Sequence, residues 1–319
     1  MWKPTASMEE LQVRAALLAE VRHFFLERGV LEVETPLLCS STATDPHLDS
    51  LMLHALDEAR FLQTSPEFPM KRLLAAGSGP IYQICKAFRK GEQGRFHNPE
   101  FTLLEWYRPG FSLDQLVAEI ADLVLALGHS LGFERWGPIL HTTYAACFQR
   151  VLGLDPHKAT AEELAVIAKQ TLGVAFDDMA REDWLDLLMS HCVEPAMPKG
   201  LMFLLDFPVE QAALAEKGVD AQGRMVAKRA ELYINGVEVA NAYQELLDPR
   251  EQRARFEADN EKRRVTNKSQ LPMPEYLLGA MQAGIPKTAG VALGVDRLLM
   301  QLMKTERLEA TLSFPWNKA

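Results

Sequence analysis

From Phe88 to Tyr107 the chain reads FRKGEQGRFHNPEFTLLEWY. Arg89 ends one strand-like run, a polar loop follows, and a second run opens on Phe101-Thr102. Strand alternation puts Phe101, Leu103, Glu105 and Tyr107 on one face and Thr102, Leu104 and Trp106 on the other. The first face offers an aromatic, a carboxylate and a phenol, which could stack a base and then hold a cation. Alone, such a strand is also what any amphipathic edge strand looks like. Arg89 before it, with Arg95, His97 and Asn98 in the loop, tips the balance, because arginine grips phosphate and carboxylate oxygens bidentately.

Outward from that stretch the signs are of an α+β chain. Met8 to Arg28 carries Leu11, Ala15, Leu18, Val21 and Phe25 at helical spacing, with Gly29 placed as a C-terminal cap. Val30 to Thr35 alternates as a short strand ended by Pro36. Arg60 to Thr64 and Ile81 to Arg89 read as strands, with a helix from Pro69 to Ala75 between them. Leu113–Leu131, Thr142–Leu152, Ala161–Leu172 and Arg181–His191 read as helices of one layer, a helical insertion over 113–199. Leu201 to Asp206, Ala230 to Ile234 and Val237 to Tyr243 return to strands. Helices follow around Glu251–Lys262 and Pro274–Ala283. Short hairpins outnumber strand–helix–strand units, which predicts an antiparallel sheet flanked by helices, within one domain spanning 1–319.

Composition excludes several classes. With 48% hydrophobic and 24% charged residues in 319, the chain is that of a globular protein able to bury a large core. No apolar run approaches the ~20 residues of a membrane span, and Met1 to Glu10 lacks the apolar region of a secretory signal. Cys39, Cys85, Cys147 and Cys192 lie far apart without a CxxC pair, so neither a zinc site nor a disulfide framework is expected, as suits a cytoplasmic protein. The net charge of −9 counts against a nucleic-acid surface, which normally draws on basic residues.

Two further constellations carry chemistry. In Glu231-Leu-Tyr-Ile-Asn-Gly-Val-Glu238, Asn235-Gly236 signals a two-residue type I′ hairpin. That register pairs Ile234 with Val237, Tyr233 with Glu238 and Leu232 with Val239, leaving Glu231 and Glu238 diagonal on one face. Like charges so placed repel unless a cation bridges them, and Mg²⁺ takes one or two carboxylates plus phosphate oxygens. Two solvated carboxylates on an exposed hairpin would read the same. In Gly290-Val-Ala-Leu-Gly294-Val-Asp-Arg297, glycines lead into a helix and allow close backbone approach, with Arg297 in its first turn.

In this order the pieces resemble the motifs of class II aminoacyl-tRNA synthetases: Gly29–Pro36 motif 1, Phe88–Tyr107 motif 2, Gly290–Met300 motif 3. Asn98-Pro-Glu-Phe-Thr and the run from Glu238 to Glu245 point to the lysyl branch. The catalytic pattern starts at once, with no N-terminal anticodon-binding OB-fold expected. The chain thereby resembles truncated lysyl-tRNA synthetase paralogues that use ATP to join (R)-β-lysine to a lysine of translation elongation factor P.

The resemblance implies a homodimer built on motif 1, and roles residue by residue. Arg89 and Arg297 would be catalytic, Arg89 on the α-phosphate and substrate carboxylate. Ser65, Pro66 and Glu67 would cradle the substrate amino group, and Glu105, Tyr107 and Glu245 would surround the side-chain ammonium. Glu238, Asn241 and Ala292 would also face the substrate. ATP would lie against Lys90, Gly91, Glu92, His97, Asn98, Leu232 and Gly294, its adenine between Phe101 and Arg297, with Glu231 and Glu238 holding Mg²⁺.

Three departures stand out. Gly91 occupies the loop position where the family has glutamate, so either Glu92 or backbone must meet the adenine. Glu238 and Asn241 share a face only if a β-bulge falls near Val239 or Ala240. Ala292 stands where this branch has glycine, and its methyl would favour an amine displaced by one carbon. A minimal synthetase charging tRNA is an alternative reading, opposed by the net charge and by the expected lack of an anticodon-binding domain. A non-catalytic regulatory paralogue is the other, opposed by the presence of Arg89, Glu231, Glu238 and Arg297.

Overall fold

The computed structural model describes residues 2–133, 136–176 and 179–319. The chain forms two compact units, Met1–Arg135 with Glu245–Ala319, and Trp136–Gln244. In chain order the first unit supplies α1 (Met8–Glu27), β1 (Leu31–Glu32), β2 (Leu38–Cys39), β3 (Met52–Ala55), β4 (Glu58–Leu62), α2 (Glu67–Ala75), β5 (Ile81–Phe88), β6 (Glu100–Pro109) and α3 (Leu113–Ser130). The second supplies β7 (Leu140–Thr143), α4 (Tyr144–Leu152), α5 (Ala161–Leu172), α6 (Arg181–Leu188), β8 (Leu201–Phe207), β9 (Lys217–Val219), β10 (Met225–Ile234) and β11 (Val237–Gln244). The first resumes with α7 (Pro249–Val265), α8 (Glu275–Gly284), β12 (Thr288–Gly294) and α9 (Val295–Leu302).

In the first unit β5, β6 and β12 are antiparallel neighbours, with β1 added parallel to β5. The two faces of β6 divide the labour as its alternation predicts. Trp106 is fully buried against Phe25 of α1, their rings 5.3 Å apart, and Phe25 stacks on Tyr82 at 4.4 Å. The Trp106 indole donates to Glu119 of α3 at 3.1 Å, so α1 and α3 cover the even face. This leaves the odd face, Phe101 to Tyr107, to the site. The buried stripe of α1 is Leu17, Val21, Phe24 and Phe25; Ala15, expected within it, is exposed. A capping box of Ser7 and Glu10 starts that helix, satisfying two otherwise orphaned backbone donors.

The turn into α9 is tied to β6 from below. Asp296, 1% exposed, accepts from Arg14 at 2.6 Å and from the Thr102 amide at 2.7 Å. Arg297 is the next residue, so its helix is anchored to the strand that carries the motif 2 face.

In the second unit β11, β10 and β8 run antiparallel, β7 lies parallel to β8 and β9 pairs with β10. Tyr144, Phe148, Trp184, Leu185 and Phe207 form the core under α4, α5 and α6. The four helices expected as one layer therefore divide, since α3 packs on α1 in the first unit. The hairpin turn has φ of +55° at Asn235 and +83° at Gly236, the two positive values a type I′ turn requires. Tyr233 pairs with Glu238 and Ile234 with Val237, but Leu232 pairs with Ala240. That corrects the expected Leu232–Val239 pair: Val239 is the extra residue of a β-bulge, and the bulge turns Glu238 and Asn241 to one face.

Candidate active site

On the first unit's site face a set of acids converges. Glu105, 2% exposed, accepts from Ser65 Oγ at 2.8 Å and from the Tyr107 hydroxyl at 2.7 Å. Ser65 Oγ in turn accepts from the Glu67 amide at 3.0 Å, which follows from Pro66 and Glu67 opening α2. Glu67 reaches Lys71, one helical turn on, at 2.6 Å, and Lys71 also meets Glu245 at 2.5 Å. Gly290 of β12 pairs with Tyr107 and Ala292 with Glu105. A Cβ at Gly290 would lie 2.4 Å from the Tyr107 ring and 2.5 Å from Glu245 Oε1, so only glycine lets those two groups sit there. A cleft of about 240 Å³ opens beside Ser65 and Glu67, lined also by Arg60, Gln63, Thr64 and Arg72.

Burial, reinforced by the charge of Glu67, lifts Glu105 to about 8 despite its two donors. Burial likewise lifts Glu245 to about 7, although Lys71 pulls it down. Burial alone would lower the Lys71 ammonium, but Glu245 and Glu67 more than offset that and raise it. Lys71 thus pairs with two of the three carboxylates, Glu67 and Glu245, and a further positive charge beside Glu105 or Glu245 would favour the ionised acid.

The opposite end of the same face is built for anions. The Arg89 guanidinium lies over the Phe101 ring, 5.1 Å from its centroid, with Glu92 at 3.4 Å, while its Nε is buried without a partner. An orphaned guanidinium N–H is what a phosphate or carboxylate oxygen would satisfy. Phe101 and Glu105 are four residues apart on one face, roughly 13 Å by strand rise. An anion end and a cation end therefore share one strand.

The motif 2 loop is pinned at both ends. The Arg89 amide donates to Pro99 O at 2.9 Å, and the Lys90 amide to Asp49 O at 2.7 Å. Arg297 donates to Phe96 O at 3.2 Å and lies 2.6 Å from His97 Nε2. Asn98, 7% exposed, donates to Glu100 O at 2.6 Å and accepts from the Trp316 amide at 2.9 Å. Its carbonyl is thus engaged by the chain itself and one amide hydrogen remains for a nucleotide. Gly91 sits at the loop bend, and Gly294 caps the start of α9.

In the second unit Arg229, Glu231 and Tyr233 of β10 share a face with Glu238, Asn241 and Tyr243 of β11. Buried Glu231 is ion-paired with Arg229 and accepts from the Tyr233 hydroxyl at 2.8 Å. Burial raises it to about 7, Arg229 opposing and Glu238 adding to the rise. Arg229 Nε also donates to Asn241 at 3.2 Å. Leu232 turns its side chain to the other face, where it is 1% exposed, so only its backbone could meet a nucleotide. Among the described residues no group of three His, Cys, Asp or Glu could hold an ion. Two carboxylates nevertheless suffice for Mg²⁺ that keeps phosphate and water ligands, and a cation there would offset the burial of Glu231.

Lys71 and Arg229, the counter-ions on which both acid sets turn, were not singled out from sequence. Each had a signal: Lys71 falls four residues after Glu67 on a helix, and Arg229 two residues before Glu231 on a strand. Gly290, visible as part of motif 3, gains its specific role only from the Tyr107 ring across from it.

Residues 2–318 match the family model for class II tRNA synthetases of the D, K and N group. Curated relatives are similar over nearly their whole length. The chain is 45% identical to the elongation factor P–(R)-β-lysine ligase of Erwinia tasmaniensis, covering 98% of this chain and 97% of that one. It is 45% identical to the protein of that name from Vibrio campbellii, over 99% and 98% of the two chains. It is 44% identical to that of Vibrio cholerae, over 100% and 98%.

Proposed function

The chain belongs to the class II tRNA synthetase family of the D, K and N enzymes, and from that premise we propose that it is an ATP-dependent ligase joining (R)-β-lysine to a lysine of elongation factor P. The observation that carries the reading is the single face of β6, with a guanidinium whose buried Nε lacks a partner at one end and three carboxylates near Ser65 and Tyr107 at the other. It fits an acid bearing ammonium groups, held beside a phosphate.

In the first half-reaction a carboxylate oxygen of the amino acid attacks the α-phosphorus of ATP and the bond to pyrophosphate breaks. The carboxylate is already ionised, so no side-chain base is needed, and Arg89 and Arg297 act by positioning and by stabilising charge. Glu231 and Glu238 would hold Mg²⁺, which supplies positive charge to phosphate oxygens. In the second half-reaction the acceptor amine attacks the carbonyl carbon of the acyl-adenylate, the bond to AMP breaks and the amine gives up a proton.

The exposed leucines Leu26, Leu31, Leu37 and Leu38 in and around motif 1 support a homodimer there. All four cysteines are free, which accords with a reducing cytoplasm, and no helix among the described residues is long and apolar enough to cross a membrane.

ATP–pyrophosphate exchange with (R)-β-lysine, then with α-lysine, tests the first step; purified elongation factor P and tRNA as acceptors test the second. Exchange with transfer to the protein alone is expected. Ala292 lies across from Glu105, so Ala292→Gly should relax the preference for β-lysine, by ~10-fold or more for one methyl in a pocket. No exchange with either amino acid, or transfer only to tRNA, would refute the reading.

A further inference from the structure

Lysine is almost never fully buried unless paired, yet Lys71 is 2% exposed in α2. Removing an ammonium from water is costly, and such a pair is often no better for stability than apolar residues of similar size. Its contacts are all with the acids of the site: Glu67 from its own helix and Glu245 from the segment after β11. Glu245 is thereby divided. Its Oε2 faces Lys71, while its Oε1 lies in the space that only a glycine at 290 leaves open, beside the Tyr107 ring.

We infer that Lys71 is a positioning residue, a built-in ammonium that holds Glu67 and Glu245 in place and sets the pocket's charge for a ligand with two ammonium groups. Lys71 pairs with Glu67 and Glu245, while Glu105 is held by Ser65 and Tyr107, so the cluster has more carboxyl groups than Lys71 alone can pair. Each ammonium of a diammonium acid finds a carboxylate to pair with; a mono-ammonium acid leaves one of those positions to a protonated acid and forgoes its ion pair. The inference rests on the reading that the substrate's amines bind here. The titratable and charged groups facing the cluster are Glu67, Lys71 and Arg72 from α2, Arg60 from β4, Glu105 and Tyr107 from β6, Cys85 from β5, Tyr276 from α8 and Glu245 itself. β12 brings Gly290 and Ala292 against it, neither of which titrates. Without Lys71, Glu245 would lose the neighbour that pulls its value down and would hold an incoming ammonium less well.

Lys71→Met tests this by pyrophosphate exchange across pH. At pH 7 its KM for (R)-β-lysine should rise ~30-fold, the size of one charge-assisted hydrogen bond, with KM for ATP nearly unchanged. Raising the pH to 9 should narrow the gap to the wild type measured at the same pH by ~10-fold as the carboxylates ionise, a relative recovery that a merely structural role would not produce. Lys71→Met with Glu67→Gln leaves Glu105 and Glu245 and removes the unpaired acid. It should bind the amino acid better than Lys71→Met alone, and it decides the matter if the single variant does not fold. A KM within threefold of the wild type at both pH values, an equal rise for ATP, or no recovery in the double variant overturns the inference. Absence of exchange in the wild-type enzyme would instead overturn the function on which it rests.

Discussion

Gly290→Ala adds one methyl where the structure has no room for it. The new Cβ would lie 2.4 Å from Tyr107 Cε1 and 2.5 Å from both Tyr107 Cδ1 and Glu245 Oε1. Non-bonded carbons sit about 3.5–4.0 Å apart, so ring and carboxylate must each retreat by roughly 1 Å or the strands must part. Neither can move freely. The Tyr107 hydroxyl is held on Glu105 at 2.7 Å and Glu245 on Lys71 at 2.5 Å, all four residues being 2% exposed. Overpacking of this kind costs ~1–3 kcal/mol in stability. A misplacement of ~1 Å in a positioned group costs ~100-fold in rate, equivalent to ~2.7 kcal/mol. We expect kcat/KM for the amino acid in pyrophosphate exchange to fall ~100-fold, with KM for ATP within threefold of wild type. Gly279→Ala is the control: it lies exposed in α8, and a Cβ there meets nothing within 4 Å, so it should leave exchange intact. Gly290→Ala with exchange within threefold of wild type would refute the geometry argued for Tyr107 and Glu245.

Arg89→Lys keeps the charge but loses the planar fork and the contact over Phe101. Exchange should fall by ~100-fold or more while thermal stability hardly changes, checked by steady-state kinetics beside a melting curve. Asp296→Ala strips Arg14 of its carboxylate and the Thr102 amide of its acceptor, so urea unfolding should show a loss of ~3–5 kcal/mol. For Glu105 and Glu245 the folded values, about 8 and about 7, exceed the ordinary 4.5. Their contribution to stability is therefore complete below pH 4.5 and lost as pH rises through 8. The ligand-free Tm should fall across that window, while an ammonium ligand, which favours the ionised forms, should bind more tightly and release protons. Calorimetry in buffers of different ionisation enthalpy would detect the release; an affinity independent of pH between 6 and 8 would contradict it.

What was legible in the sequence was whatever local rules determine. The alternation of β6 assigned its faces, because side chains in a strand alternate whatever surrounds them. Asn235-Gly236 specified its turn, because few residues accept positive φ twice in succession. Even the bulge could be inferred, from the parity of Glu238 and Asn241. The register beyond that bulge could not, since placing the extra residue at Val239 depends on which side chains the core accepts. The same holds for α1, where three partly or fully exposed apolar positions share the helical period with the buried stripe, and only packing against Tyr82 and Trp106 separates them.

The counter-ions were hidden for a different reason. A lysine four residues after a glutamate is ordinarily a solvated surface pair worth a few tenths of a kcal/mol. Burial changes its meaning, and burial is a property of the helix's neighbours. Once Lys71 and Arg229 are enclosed, each fixes one buried acid and leaves the rest of its set short of positive charge. Glu105, Glu245 and Glu231 all end near or above neutrality for this one cause, burial that is only partly offset, by Lys71 at Glu245, by Arg229 at Glu231 and by the hydrogen bonds of Tyr107 and Ser65 at Glu105. A cation entering either unit is therefore bound by groups that its own charge ionises, so affinity and proton release rise together. A site of this kind discriminates by the number of charges its ligand carries before it discriminates by shape.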